Sequence, residues 1–226
     1  MVNFESMKGF SHPIQRFILV MIVLAGCGGK PSKDRGVVYS GNTAMRITHT
    51  VRDFSEWLKV YKELADTTAL ISMYVNPEDP NLVTVYELTT SHEEARKKFD
   101  ADLMRRKMKR AGVSSEPVIT YFEIKYRRNA PSKKIYRVEI THDVEDYDTW
   151  KKVFDAGEQR RINAGMELRG IFTDADNPNM VGVVLATDDV EKLHEMMASE
   201  EFQKIKKEAG IASKEMVIVL KVPDIK

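Results

Sequence analysis

The residues whose type and spacing could do chemistry come in matched pairs. His49 and His142 each sit in a segment where apolar and polar residues alternate, so each falls on the apolar face of a strand. An imidazole placed there titrates near neutral pH and could act as a general base or a ligand. The competing reading is a structural histidine, hydrogen-bonded near the strand end, and recurrence in both segments favours it. Trp57 and Trp150, the only tryptophans, follow the two histidines at equal spacing. They could line a ligand cavity by stacking, or pin a helix onto a sheet, which is what large buried aromatics usually do. Asp53 and Asp146 lie just ahead of helical patterns and read as caps or turn residues. Arg160, Arg161 and Arg169 offer a third chemistry, a guanidinium clamp on a carboxylate, against the plainer reading of a solvated helix face. The basic run at residues 105–110 shares its helix with Glu93, Glu94, Asp100 and Asp102, so it reads as a solvated face and not as a nucleic-acid surface. The sequence contains no Gly-rich phosphate loop, no GxSxG and no dense acidic metal set, so no metal and no cofactor are expected.

The pairs arise because the chain carries one segment twice. Residues 47–61 read ITHTVRDFSEWLKVY and residues 140–154 read ITHDVEDYDTWKKVF, identical at eight of fifteen positions with a constant offset of 93. From Pro80 onward the offset becomes 98, because the second copy holds five extra residues between its first helix and the following hairpin, near Arg160, Arg161 and Gly165. Each copy reads β-α-β-β-α-β. The first strands span 44–51 and 136–144, the first helices 55–65 and 148–164, with Ser55 and Asp148 as helix starts and Gly165 as a stop. Hairpins form around Asn76-Pro77-Glu78-Asp79-Pro80-Asn81 and Asp174-Ala175-Asp176-Asn177-Pro178-Asn179. The second helices run from Ser91 to about Ala111 and from about Asp188 to Ala209, with Ser91 and Glu94 as a capping box. The last strands span 118–124 and 216–222.

The N-terminal region has a different character. Residues 17–25 (FILVMIVLA) form a nine-residue apolar run, too short to span a bilayer, which takes about 20 residues. Lys8 and Arg16 precede it and Ala25, Gly26, Cys27 and Gly28 follow, the order of an export signal. Leu24-Ala25-Gly26-Cys27 resembles the bacterial lipobox. That resemblance implies that residues 1–26 are a lipoprotein signal peptide and that the Cys27 thiol is lipidated. Met7 is an alternative start. Residues 27–42 then read as a flexible tether. Without the signal, the 35 basic and 34 acidic residues of the whole chain lose Lys8, Arg16 and Glu5 and become 33 and 33. Membrane attachment must then come from acyl chains and not from a basic surface. Gly28 in place of Asp resembles enterobacterial lipoproteins of the outer membrane, which implies that location, facing the periplasm, if the source is Gram-negative. Cys27 is the single cysteine, so no disulfide can form within the chain.

A β-α-β-β-α-β unit builds a four-stranded antiparallel sheet with both helices on one side. Its bare face can pack against a second such sheet, and the duplication supplies one in cis. The expected fold class is therefore α+β: two ferredoxin-like repeats, 43–126 and 136–226, joined by a linker at 127–135 into one pseudo-dimeric α/β barrel. The stretch His-x-Val-x-Asp-Phe/Tyr-x-x-Trp, here starting at His49 and His142, resembles the dimeric α/β-barrel superfamily of antibiotic-biosynthesis-monooxygenase-like and cyclase-like proteins. The haem-degrading branch of that superfamily uses an Asn, a Trp and a His around haem, and neither tryptophan here matches by position. The resemblance implies fold more than chemistry. The expectation is an exported, lipid-anchored protein that binds a small ligand in or near the barrel. The alternatives are a cofactor-independent monooxygenase or cyclase-like enzyme using His49 or His142, and an envelope structural protein. The ligand-binding candidates are Trp57, Trp150, Arg160 and Arg169.

Overall fold

The computed structural model describes residues 42–65 and 69–224. Its first copy contributes β1 (Thr43–Thr50), α1 (Phe54–Leu64), β2 (Leu70–Val75), β3 (Leu82–Leu88), α2 (His92–Asp100), α3 (Asp102–Arg110) and β4 (Val118–Arg127). The second contributes β5 (Tyr136–Asp143), α4 (Tyr147–Ala156), α5 (Glu158–Asn163), β6 (Glu167–Asp174), β7 (Met180–Thr187), α6 (Val190–Ala198), α7 (Glu200–Glu208) and β8 (Met216–Lys221).

The strands close into one barrel in the order β1-β3-β2-β8-β5-β7-β6-β4. Two antiparallel sheets, one per copy, meet at two seams. At one seam β4 pairs β6 from Phe122 opposite Asp174 to Arg127 opposite Gly170. At the other, β2 meets β8 at a single pair, Val75 with Lys221. The difference follows strand length, since β4 has ten residues and β8 only six.

Alternation assigns each strand two faces. On β1, Met45 and Ile47 pack outward with Ala95 beneath the helices, and His49 meets Trp57 there. Ala44 turns inward to a core shared by both copies, with Tyr86, Phe122, Phe172 and Leu220. Gly182 belongs to this inner face, and a Cβ at that position would sit 2.0 Å from the Phe172 ring. The glycine therefore makes the space that Phe172 fills.

The first helix of each copy begins one step earlier than the sequence pattern indicates. Asp53 and Asp146 are the N-caps, accepting from the backbone N–H of Glu56 and Thr149, both at 2.8 Å. This replaces Ser55 and Asp148 as the start signals, because a cap needs its carboxylate three residues ahead of an unbonded N–H. The long second helices are also each broken in two. Ala101 and Ser199 take extended backbone, and Ser199 then caps α7 by accepting from the Phe202 N–H. In the second copy the first helix breaks at Gly157, so the five extra residues lie in and around α5. The Ala-Gly ends of α3 and α7 have a mechanical role. Gly112 and Gly210 adopt left-handed φ of 85° and 62°, and their carbonyls accept from the N–H of Arg52 and Glu145. That locks the helix end beside the exit of strand β1 or β5, where Val113 and Ile211 bridge Val51 and Val144.

Candidate functional site: a cavity at the junction of the copies

Matched positions differ sharply between the two faces of the barrel. Beneath the helices, several matched positions carry the same residue, Ile47 and Ile140, His49 and His142, Trp57 and Trp150, Val83 and Val181, while Met45, Glu87 and Ala95 are matched by Val138, Leu185 and Leu193. Inside the barrel they diverge: Arg46 faces Glu139, and Tyr74, Thr84, Tyr86 and Phe122 correspond to Phe172, Gly182, Val184 and Leu220. The polar and aromatic groups of the interior are supplied unequally by the two copies.

Arg46 and Glu139 are separated by the repeat offset itself and bind each other across the barrel through Nη1 and Oε1. In a symmetric pair of identical units this position would set like charge against like. Duplication in one chain lets opposite charges meet there. The Arg46 Nη2 also donates to Thr120 Oγ1 at 3.0 Å, and the Tyr86 hydroxyl donates to the other Glu139 oxygen, Oε2. Glu139 is 1% exposed. Burial pushes its carboxyl above the usual range, and the Arg46 charge and the Tyr86 hydroxyl pull it back. Burial likewise holds the Tyr86 phenol protonated, far above its ordinary range, with the Glu139 charge adding to the effect.

Tyr86 is also a wall of a cavity of about 290 Å³ that opens beyond this triad. The first copy lines it with Ile71, Ser72, Tyr74, Tyr86 and Phe122, and the second with Gly170, Phe172 and Val184. Its aromatic walls are ordered against each other: Tyr74 meets Tyr86 edge-on at 5.9 Å, and Phe122 meets Phe172 at 4.7 Å. The mouth carries Arg127, Arg128, Asn129 and Arg169. Among the described residues, no group of three or more His, Cys, Asp and Glu stands close enough to hold a metal ion.

Of the residues singled out from sequence, Arg169 lines this cavity. His49 and His142 do not. Their rings lie on the outer face of the sheet against Trp57 at 5.5 Å and Trp150 at 5.9 Å. Among the described residues, neither ring nitrogen of either histidine has a hydrogen-bond partner. Desolvation lowers both imidazoles from 6.5 to about 4, so both are neutral at pH 7. Trp57 and Trp150 anchor α1 and α4, stacking on Tyr61 and Phe154 with centroids 5.0 Å apart in each case. A smaller gap of about 90 Å³ beneath α4 and α5 is bounded by His142, Trp150, Phe154, Arg160 and Phe202. Arg160 itself pairs with Glu201 at 3.2 Å near the surface, and Arg161 lies over the Phe154 ring at 3.8 Å. Cys27 lies outside the described residues. The sequence reading missed Arg46, Glu139 and Tyr86, although opposite charges at matched inward positions were a visible signal.

These features define a class: two ferredoxin-like units in one chain, closed into a single α/β barrel with helices outside. No protein-family model and no curated protein matches the sequence. Solved structures match in fold. One is a candidate monooxygenase from Lactobacillus acidophilus NCFM, at TM-score 0.51 and 12% identity, covering 79% of this chain and 93% of that one. An anthrone oxidase-like protein matches at TM-score 0.52 and 9% identity, over 82% of this chain and 93% of its own. A candidate chlorite dismutase matches at TM-score 0.52 and 9% identity, over 80% and 95%. At such identities the likeness establishes fold and not chemistry.

Proposed function

We propose that the protein binds a small, mostly apolar molecule in the barrel cavity. The observation that carries this reading is the position of the cavity. It lies where the two copies differ, between first-copy hydroxyls and aromatics and a second-copy wall opened by Gly170 and Val184. Its volume of about 290 Å³ is at the small end for ligand sites and suits one or two rings. The test is a thermal-shift and ligand-detected NMR screen of one- and two-ring compounds, repeated on Val184→Phe. That variant fills the cavity from its strand wall. Binders should raise the melting temperature of the wild type and lose the effect in the variant. A screen without binders, or binders indifferent to Val184→Phe, would overturn the reading.

A second reading, turnover of the bound molecule, draws on one observation. Tyr86 joins the cavity wall to a buried carboxyl whose proton affinity is raised, which is a route for a proton between ligand and Glu139. If a ligand found in the screen is converted, Tyr86→Phe should slow conversion with little change in binding. Conversion at an unchanged rate would exclude that route.

We also propose that the protein is exported and held at the cell envelope by lipid on Cys27. The support is the order of Lys8 and Arg16, the apolar run at residues 17–25 and Leu24-Ala25-Gly26-Cys27. Cys27→Ala should move the protein out of the membrane fraction and abolish labelling with radioactive palmitate. Unchanged fractionation and labelling would refute the anchor.

A further inference from the structure

We infer that the ligand of this cavity is a planar aromatic acid, its rings packed against the Tyr74, Tyr86, Phe122 and Phe172 side chains and its carboxylate taken by Arg169. This rests on the cavity being a binding site and adds the chemical class of what it binds. Three arginines, Arg127, Arg128 and Arg169, line the cavity, and among the described residues no Asp or Glu lines it, the nearest to Arg169 being Glu167 at 3.9 Å. The chain as a whole carries a formal charge of only +1, so the excess is local to this opening.

Arg169 is the one placed to recognise an anion. It stands on β6, at the position that Ile71 occupies in the first copy, so the charge is an addition to one half of the site. Its side chain is only 14% exposed. Nη2 is tied to the linker by donating to the carbonyls of Arg128 at 3.1 Å and Ala130 at 2.5 Å. Those bonds fix the plane of the guanidinium before any ligand arrives, which lowers the ordering cost of binding. Among the described residues Nη1 has no hydrogen-bond partner, and its ion pair with the Glu167 carboxylate is long, at 3.9 Å. A buried donor without a hydrogen bond is costly. A carboxylate can satisfy it while accepting a charge-assisted bond. Arg127 and Arg128, both exposed at the mouth, add attraction along the approach. The walls set the rest of the ligand. Four aromatic side chains around a narrow space favour a flat ring system over a branched chain.

The experiment is isothermal titration of the full chain with 2-naphthoate and with 2-naphthamide, which share shape and differ in charge. The acid should bind about tenfold to a hundredfold more tightly, as for a hydrogen bond to a charged group. Arg169→Met should remove that preference while leaving the naphthamide affinity as it was, which shows that the cavity is intact. Arg127→Met with Arg128→Met leaves Arg169 in place and should weaken the acid less, with the loss vanishing at high salt. Equal affinity for acid and amide in the wild type would overturn the aromatic-acid assignment and leave the cavity reading standing. So would a preference that survives Arg169→Met. Failure of both compounds to bind would overturn the aromatic-acid assignment, while the cavity reading falls only if the wider screen also finds no binder.

Discussion

Arg46→Ala is expected to remove about 3–5 kcal/mol of folding stability, the usual cost of leaving one member of a buried ion pair alone. Glu139 would then keep a carboxylate 1% exposed, with the Tyr86 hydroxyl as its remaining hydrogen-bond donor. The carboxyl would take up a proton, or the barrel would open to admit water, and either response draws on folding energy. The reading is the urea midpoint at pH 7, with the slope of the transition checked for constancy. Glu139→Gln should cost less, because the amide oxygen still accepts from Tyr86 and no charge is left buried on the acid side. The double replacement Arg46→Met with Glu139→Leu should recover most of the loss, since an apolar pair removes both desolvation penalties. Exchange of the charges, Arg46→Glu with Glu139→Arg, is the most discriminating variant. The two positions are equivalent in the duplication, so the ion pair itself can re-form. The exchanged groups would meet Val184 and Ile218 where Tyr86 and Thr120 now stand, and would lose those two hydrogen bonds. The exchange should therefore fall between wild type and Arg46→Ala. A loss for Arg46→Ala of under about 1 kcal/mol, the value for an exposed pair, would mean that the interior is wet and the triad is not a structural unit.

That triad also explains which part of this protein could be read from its sequence. The period-2 alternation of Met45, Ile47, His49 and Val51 marks an apolar face, and the structure puts helices over it. The polar positions between them, Arg46 and Thr48, look like a solvent face by the same rule. Barrel closure turns that face into an interior, and Arg46 is tolerated there because Glu139 of the other copy pairs with it. Alternation cannot distinguish polar and solvated from polar and paired. The cavity was hidden for a related reason. Tyr74, Tyr86, Phe122 and Phe172 come from four strands and share no local spacing, so only the register of the closed sheet brings them together. Arg169 was visible because it stands near the inserted segment, yet the insertion itself leads elsewhere. Its residues form α5 on the outside of the barrel, where Arg160 pairs with Glu201. The consequential disagreement between the copies is spread one residue at a time along the inner faces of the strands. The helix breaks at Ala101 and Ser199 were missed because neither residue forbids a helix. Ser199 ends one helix and caps the next by offering its hydroxyl to the Phe202 N–H.

The histidines beneath the helices carry the second large effect, on the pH dependence of stability. Stability should fall as pH drops from about 6.5 toward about 4, and replacing both residues should flatten that slope. In the folded protein His49 and His142 hold about pH 4 against an ordinary 6.5, chiefly through burial. For His142 the nearby Glu215 charge raises the value and Lys206 lowers it, and these two are joined by an ion pair of 2.6 Å. A depressed folded value means that the unfolded chain binds the proton first. Stability is thus fully present above about pH 6.5, is lost through the interval down to about 4, and changes no further from these groups below it. A shift of this size corresponds to about 3 kcal/mol for each imidazole. Glu139 works in the opposite sense, since its carboxyl is raised in the fold and gains stability as it protonates. Urea midpoints of wild type and His49→Leu/His142→Leu at pH 7.5, 6, 5 and 4 separate the contributions. At pH 7.5 the double variant should be as stable as wild type or more so, because the imidazoles it replaces have no hydrogen-bond partner to lose. At pH 4 it should exceed wild type by several kcal/mol. Parallel pH curves for the two proteins would show that water or another group reaches these rings in solution, and would restore them as candidates for chemistry.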